Sequence, residues 1–211
     1  ASLVGLGAGI TYAGLYFSGH APLWFGPERD HWSREGWSDK ASDVLEGLEV
    51  DKEFYQYRPK ASTRNFLEIH NSTEDRRIKK ALFFNSKRKQ LVAIVYFGAD
   101  TEGPPRHVHG GCSAAVIDAV LGVCAHESTF LPCLTANLNI NYRMKIPLGS
   151  TVQIICTLAS FEGRKVKIDF KVVNLKRKDI VYIEGTSLFV ATLNVLSIKN
   201  KNPPNVKPID Q

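Results

Sequence analysis

Apolar and polar positions change their period several times along the chain, and each change marks an element. Residues 2–19 carry no charged side chain, and the next acidic or basic residue is Glu28. Leu3, Val4, Leu6, Ile10, Leu15 and Phe17 recur there among Gly5, Gly7, Gly9 and Gly14. An uncharged run of this length lies at the short end for a membrane-spanning helix, and residues 1–20 are predicted to be one. Ala1, Gly5, Gly9 and Ala13 repeat every four residues, the spacing at which small side chains let membrane helices pack. The three tryptophans, Trp24, Trp32 and Trp37, follow the run, and tryptophan favours the membrane interface. A buried soluble helix explains the apolar run but not the small-residue face.

Residues 21–79 are charged and broken by Gly and Pro, and they read as a linker and collar. One amphipathic helix is predicted over 39–50, with Val44, Leu45 and Leu48 on one side. From residue 80 the pattern becomes that of strands. Segments 81–85 and 91–97 flank a turn at 86–90, which predicts a hairpin. Glu102, Gly103, Pro104 and Pro105 then break the chain. Residues 135–142 alternate, with Ala136, Leu138, Ile140 and Tyr142 on one face and Thr135, Asn137, Asn139 and Asn141 on the other. Segments 151–161 and 166–173 meet at Glu162, Gly163 and Arg164, and a strand over 180–193 follows a Lys176, Arg177, Lys178 turn. Residues 196–211 are polar, contain Pro203, Pro204 and Pro208, and are predicted to be an extended tail.

Between the two groups of strands, residues 109–125 form a helix that is apolar on nearly every side, so it belongs inside something else. Asp118 stands in its middle, about two turns beyond Gly111. Gly111, Ala114, Ala115, Gly122 and Ala125 surround it with a low-relief face. Gly110 and Gly111 leave N–H groups free at the positive end of the helix dipole, where an oxyanion or a polarised carbonyl is welcome. Two readings stand at this point. Asp118 is either a structural carboxylate satisfied by backbone donors or an active-site base facing an oxyanion hole. The order strand, strand, long helix, four strands predicts an α+β domain over 80–195, a curved antiparallel sheet wrapped around one central helix, which is the hotdog fold.

Composition narrows the function classes. The 211 residues are 44% hydrophobic and 23% charged, as in an ordinary globular protein. A formal charge of +6 and a pI near 9.1 favour anionic ligands or surfaces. No basic stripe interleaved with aromatics is present, so no nucleic-acid partner is expected. Cys112, Cys124, Cys133 and Cys156 lie in apolar segments without CxxC spacing, which fits buried thiols in a reducing compartment. His107 and His109 have no supporting carboxylate or cysteine cluster, and no metal is expected.

Several separated motifs resemble, in order, those of the mitochondrial hotdog acyl-CoA thioesterases. They are Glu102-Gly103-Pro104-Pro105, His109-Gly110-Gly111, Ile117-Asp118-Ala119, Thr135 to Tyr142, and Ile146-Pro147-Leu148. The resemblance implies hydrolysis of fatty acyl-CoA without a cofactor, by a hotdog dimer with sites at the subunit interface. It implies that Gly111 N–H polarises the thioester, Asp118 activates water, Thr135 assists by hydrogen bonding and His109 shapes the loop. Gly110, Asn137, Arg143 and Lys145 are the expected contacts for acyl-CoA, the last two at its phosphates; solvated surface charge is the other reading of that basic pair. Residues 126–132 differ from the family's Gly-rich loop and are read as one residue longer. A mitochondrial address is implied too, at the inner membrane with the domain in the matrix. A rival reading makes the chain a non-catalytic accessory subunit of a respiratory or ATP-synthase complex, held to membrane proteins through Gly5 and Gly9.

Overall fold

The protein was analysed as a computed structural model, which describes residues 37–57 and 78–192. The predicted membrane helix at 1–20 and the tail at 196–211 lie outside the described residues. Among the described residues no helix is long and apolar enough to cross a membrane.

Among the described residues seven antiparallel strands form one sheet. They are β1 (Phe54–Tyr57), β2 (Ile78–Asn85), β3 (Gln90–Phe97), β4 (Cys133–Tyr142), β5 (Thr151–Glu162), β6 (Lys165–Asn174) and β7 (Val181–Ala191). Their spatial order is β1-β2-β3-β5-β6-β7-β4, so β1 and β4 are the two edges among the described residues. Helix α1 (Asp39–Val50) precedes β1, and the long helix α2 (Gly110–Thr129) lies between β3 and β4 in the chain. Helix α2 touches every strand from β2 to β7. Six strands about 4.8 Å apart reach one helix about 10 Å wide only if the sheet curls round it.

Side-chain alternation explains the two faces. In β6, Lys165, Lys167, Asp169 and Lys171 point outward to solvent while Val166, Ile168, Phe170 and Val172 pack inward. Strands β2 and β3 are buried on both faces, which is why they read as unbroken apolar runs. Their inner residues, among them Leu82, Phe84, Leu91 and Val95, join Val116, Ile117, Val120 and Leu121 of α2 in the main core. Their outer residues, Ala81, Phe83, Val92 and Ile94, are capped by Ala41, Val44, Leu45 and Leu48 of α1. Each fully buried Leu, Ile or Phe contributes on the order of 2 kcal/mol.

Three elements differ from their sequence expectations. The collar is more than a linker, because Phe54 to Tyr57 pairs with Leu82 to Asn85 as a seventh strand. Strand β2 begins at Ile78, two residues ahead of the expected domain boundary. Helix α2 runs on to Thr129 and stops where Phe130 takes a left-handed φ of 56°, so most of the expected loop at 126–132 is the helix's last turn.

Candidate active site

Asp118 lies on the flank of α2 that the sheet leaves uncovered. Ala114, Ala115, Ala119, Gly122 and Val123 share that flank and are half-buried, while Val116, Ile117, Val120, Leu121 and Cys124 on the far side are buried. Asp118 is half-buried itself. The apolar helix around it implied a buried carboxylate; in the single chain it is open on one side. The Thr135 hydroxyl of β4 donates to Asp118 Oδ1 at 2.8 Å.

That hydrogen bond depends on a fault in the strand. Thr135 pairs with Phe189, but Asn137 pairs with Leu188, so β4 carries one extra residue at a bulge. Phe189 faces α2 and is buried, and Thr135 opposite it faces α2 as well. Beyond the bulge the parity reverses. Leu138 and Ile140 pack toward the core, and Asn137 falls on the outer face. Perfect alternation had put Thr135 with Asn137, Asn139 and Asn141. The bulge separates them, bringing Thr135 to Asp118 and leaving Asn137 exposed on the other side.

The helix entrance is built from His109 to Ser113. His109 is the N-cap of α2, and its Nδ1 accepts from Gly111 N at 3.0 Å and Cys112 N at 3.4 Å. The Gly111 N–H expected to be free is therefore held by the imidazole in this structure. The Gly110 carbonyl accepts from Tyr142 Oη at 2.9 Å and Ser113 Oγ at 2.8 Å. Neither residue was singled out from the sequence for this role. A Ser at the fourth helical position, able to bond back to the carbonyl three residues earlier, was the available signal. The approach loop is fixed in turn: His109 N donates to Thr101 O at 2.7 Å, and Gly103 N to His107 O at 2.9 Å. A Cβ on Gly103 would lie 2.7 Å from His109 Cα, so only glycine fits there.

Arg143 and Lys145 follow β4 at the same end as Gly110, and both are exposed. Arg143 is engaged with Glu184, its Nη2 and Nε lying 2.6 and 2.9 Å from Oε1. The Lys176 and Arg177 amides bond to Asn174 Oδ1, which sets the β6–β7 turn. His107 Nδ1 lies 2.8 Å from Pro105 O. Burial raises the Cys112 and Cys133 thiols above their ordinary range. A cleft of about 330 Å³ beside the approach loop is lined by Tyr96, Ala99, Arg106, Leu148 and Gly149, none of them an expected site residue.

The pieces suit attack by water on a polarised carbonyl. Gly111 and Asp118 are seven residues apart, about 10 Å along the axis at 1.5 Å per residue. Helical side chains lean toward the N-terminus, which shortens that gap. A carbonyl group and one hydrogen-bonded water attacking it span about 7 Å.

Residues 106–181 match the model of the thioesterase superfamily. The chain is 32% identical over 151 residues to the acyl-coenzyme A thioesterase THEM4 of Mus musculus, a match covering 72% of this chain and 64% of that protein. It is 37% identical over 109 residues to its Bos taurus counterpart, covering 52% of this chain and 44% of the other. The chain thus spans less than two thirds of the length of these relatives. The crystal structure of a hypothetical thioesterase protein with coenzyme A from Streptococcus pneumoniae superposes with a TM-score of 0.50 at 15% identity, covering 55% of this chain and 88% of that one. That likeness bears on the fold alone, which is the hotdog arrangement of sheet and central helix.

Proposed function

We propose that this chain, which resembles the acyl-coenzyme A thioesterases and carries a match to the thioesterase superfamily, hydrolyses acyl-CoA to a free carboxylic acid and CoA. The observation that carries the reading is the Thr135–Asp118 hydrogen bond on an open helix flank. It fixes one carboxylate oxygen and leaves Oδ2 for a water. Asp118 takes a proton from that water as oxygen adds to the thioester carbon. Charge gathering on the carbonyl oxygen falls to the Gly111 N–H once the imidazole has moved aside. Collapse breaks the C–S bond, and the departing CoA sulfur receives the proton from Asp118. Water is the only co-reactant.

A second copy of the chain is the proposed other wall of the site. Among the described residues β4 is an edge strand with exposed Leu134 and Tyr142, and such an edge beside the open flank of Asp118 invites strand pairing. Lys145, and Arg143 where Glu184 yields, are the proposed partners of the CoA phosphates. Tethering to a membrane is proposed from the uncharged run at 2–19, and the mitochondrial inner membrane as its address from the resemblance alone.

The test is release of CoA thiol from acyl-CoAs of graded chain length by the purified protein. Turnover with a chain-length optimum is the expected result. Release no faster than in buffer across the whole series would overturn the reading.

A further inference from the structure

Phe130 is out of place on two counts. It closes α2 at a φ of 56° and a ψ of 26°, the left-handed conformation that suits Gly or Asn and strains a residue with a Cβ. Burial does not offset that strain, for the side chain is 59% exposed. Neither the backbone nor packing among the described residues accounts for a Phe here.

Other apolar side chains stand exposed at the same end of the domain. Leu134, near the start of β4, is 59% exposed, and Phe161, near the end of β5, is 37% exposed. Contacts bring these segments together where α2 stops. Lys89 of the β2–β3 turn lies over the Phe130 ring at 5.6 Å, and its carbonyl accepts from Leu158 N of β5 at 3.0 Å. The end of β7 joins the remaining pieces: Ala191 N donates to Arg164 O at 2.8 Å, and Thr192 N to Pro132 O at 2.9 Å.

The same segments are basic. Lys87, Arg88 and Lys89 lie in the β2–β3 turn, and Arg164 and Lys165 lead into β6. Against them stand Glu53, 3.7 Å from Lys87 and 2.9 Å from Arg88, and Glu162, which pairs across the turn with Lys165. Cations remain in excess, interleaved with apolar side chains borne on separate segments. A protein partner binds through anchors clustered in one desolvated pocket. A fluid anionic surface accepts anchors that are scattered, because apolar side chains enter the headgroup boundary while Lys and Arg meet phosphate.

We propose that this end of the domain, centred on Phe130, docks on an anionic phospholipid bilayer. The docking surface is separate from the uncharged run at 2–19 and does not depend on hydrolysis. Asp118 lies twelve residues before Phe130, about 18 Å back along the helix, so docking here leaves its open flank clear of lipid.

The test follows hydrogen exchange of the full chain by mass spectrometry, with vesicles of phosphatidylcholine alone or mixed with phosphatidylglycerol. Exchange locates the contact, so it stays readable whichever other part of the chain touches lipid. Peptides spanning 86–90 and 129–134 should exchange about tenfold more slowly on anionic than on neutral vesicles, and should lose that protection in high salt. Phe130→Asn should remove most of the protection without lowering the melting temperature of the free protein, since Asn suits the left-handed backbone. Phe130→Trp should keep it. Lys87→Gln combined with Lys165→Gln should remove it as well, at about fivefold in affinity per cation. Equal exchange on the two kinds of vesicle overturns the proposal. Protection that follows charge but survives Phe130→Asn overturns it too, leaving a cationic rim with no apolar contact. Protection that appears only when residues 193–211 are removed gives the patch to the chain's own tail, and protection that rises with protein concentration without vesicles gives it to a second copy; either result overturns the proposal.

Discussion

Two carboxylates on α2 make the same kind of contact at opposite edges of the sheet. Asp118 accepts from the Thr135 hydroxyl on edge strand β4, and Glu127 accepts from the Tyr55 phenol on edge strand β1. Nine residues separate them, about two and a half helical turns, so they face opposite ways. Their surroundings differ. Glu127 is 8% exposed, beside buried Ser128 and close to Cys124, and the β1 edge above it is tied by Glu53 to Arg88 at 2.9 Å and Asn85 at 3.2 Å. Burial and the nearby Glu127 carboxylate raise the Tyr55 phenol well above its ordinary range, so it remains a donor. Asp118 lies on the open flank among alanines and glycine. A sealed carboxylate with its donor fastens an edge, while an open one with its donor can take a proton from something that arrives. On the hydrolysis reading, chemistry belongs to the β4 side, and the β1 side is a closure.

Breaking the open edge should have the largest effect. A Cβ on Gly185 would fall 2.0 Å from the Asn139 carbonyl oxygen of β4 and 2.9 Å from the Phe170 ring. Gly185→Ala should push β4 off β7, destabilise the protein by about 3 kcal/mol or more, and abolish turnover by parting Thr135 from Asp118. Chemical denaturation and the CoA-release assay check both parts.

Alkali should find the closed side next. Burial pushes the Cys124 thiol up to about 12 and raises Cys156 well above its usual value. The folded chain keeps those protons after the unfolded chain has begun to lose them near pH 9. Stability is thus complete below about pH 9 and falls as pH rises toward 12, by up to about 1.4 kcal/mol per pH unit for each thiol. Melting curves between pH 7 and pH 11 measure it. A flat profile would mean that burial does not hold these two thiols above their ordinary range.

Tyr55→Phe should cost about 1–3 kcal/mol, because it strands a buried carboxylate without its donor. Turnover at the far edge should stay within about twofold. Thr135→Ala should do the reverse, moving stability by less than about 0.5 kcal/mol while lowering kcat about tenfold. The smallest effect belongs to the exposed Arg143–Glu184 pair. Arg143→Ala should shift stability by under about 0.5 kcal/mol and show its consequence, if phosphate is its partner, as a raised KM at low salt.

The contrast between the edges was only half legible in the sequence. Helix α1 appears over the residues its amphipathic pattern marks, and Asp118 was conspicuous because a charge in an apolar helix has to be explained. Strand β1 was hidden, since four residues after a charged stretch carry too little periodicity, and nothing local links Tyr55 to Glu127 seventy-two residues away. Thr135 was named through the resemblance but placed on the wrong face, because alternation has no sign for an inserted residue. The His109 cap escaped notice because capping is ordinarily the work of Ser, Thr, Asp and Asn. The helix stop was obscured by Phe130 in a left-handed conformation that usually belongs to Gly or Asn. What the sequence concealed are contacts made by tertiary register and not by local pattern.

The most direct measurement sets Asp118→Asn beside Glu127→Gln, each assayed for CoA release and for thermal unfolding. Asp118→Asn removes the proton acceptor and should lower kcat by about a hundredfold or more while leaving the melting temperature nearly unchanged. Glu127→Gln should lower the melting temperature and keep turnover within about twofold of the parent. An Asp118→Asn variant that still hydrolyses acyl-CoA at the parent's rate, or a folded Glu127→Gln variant that has lost hydrolysis, would contradict the assignment of chemistry to the open edge.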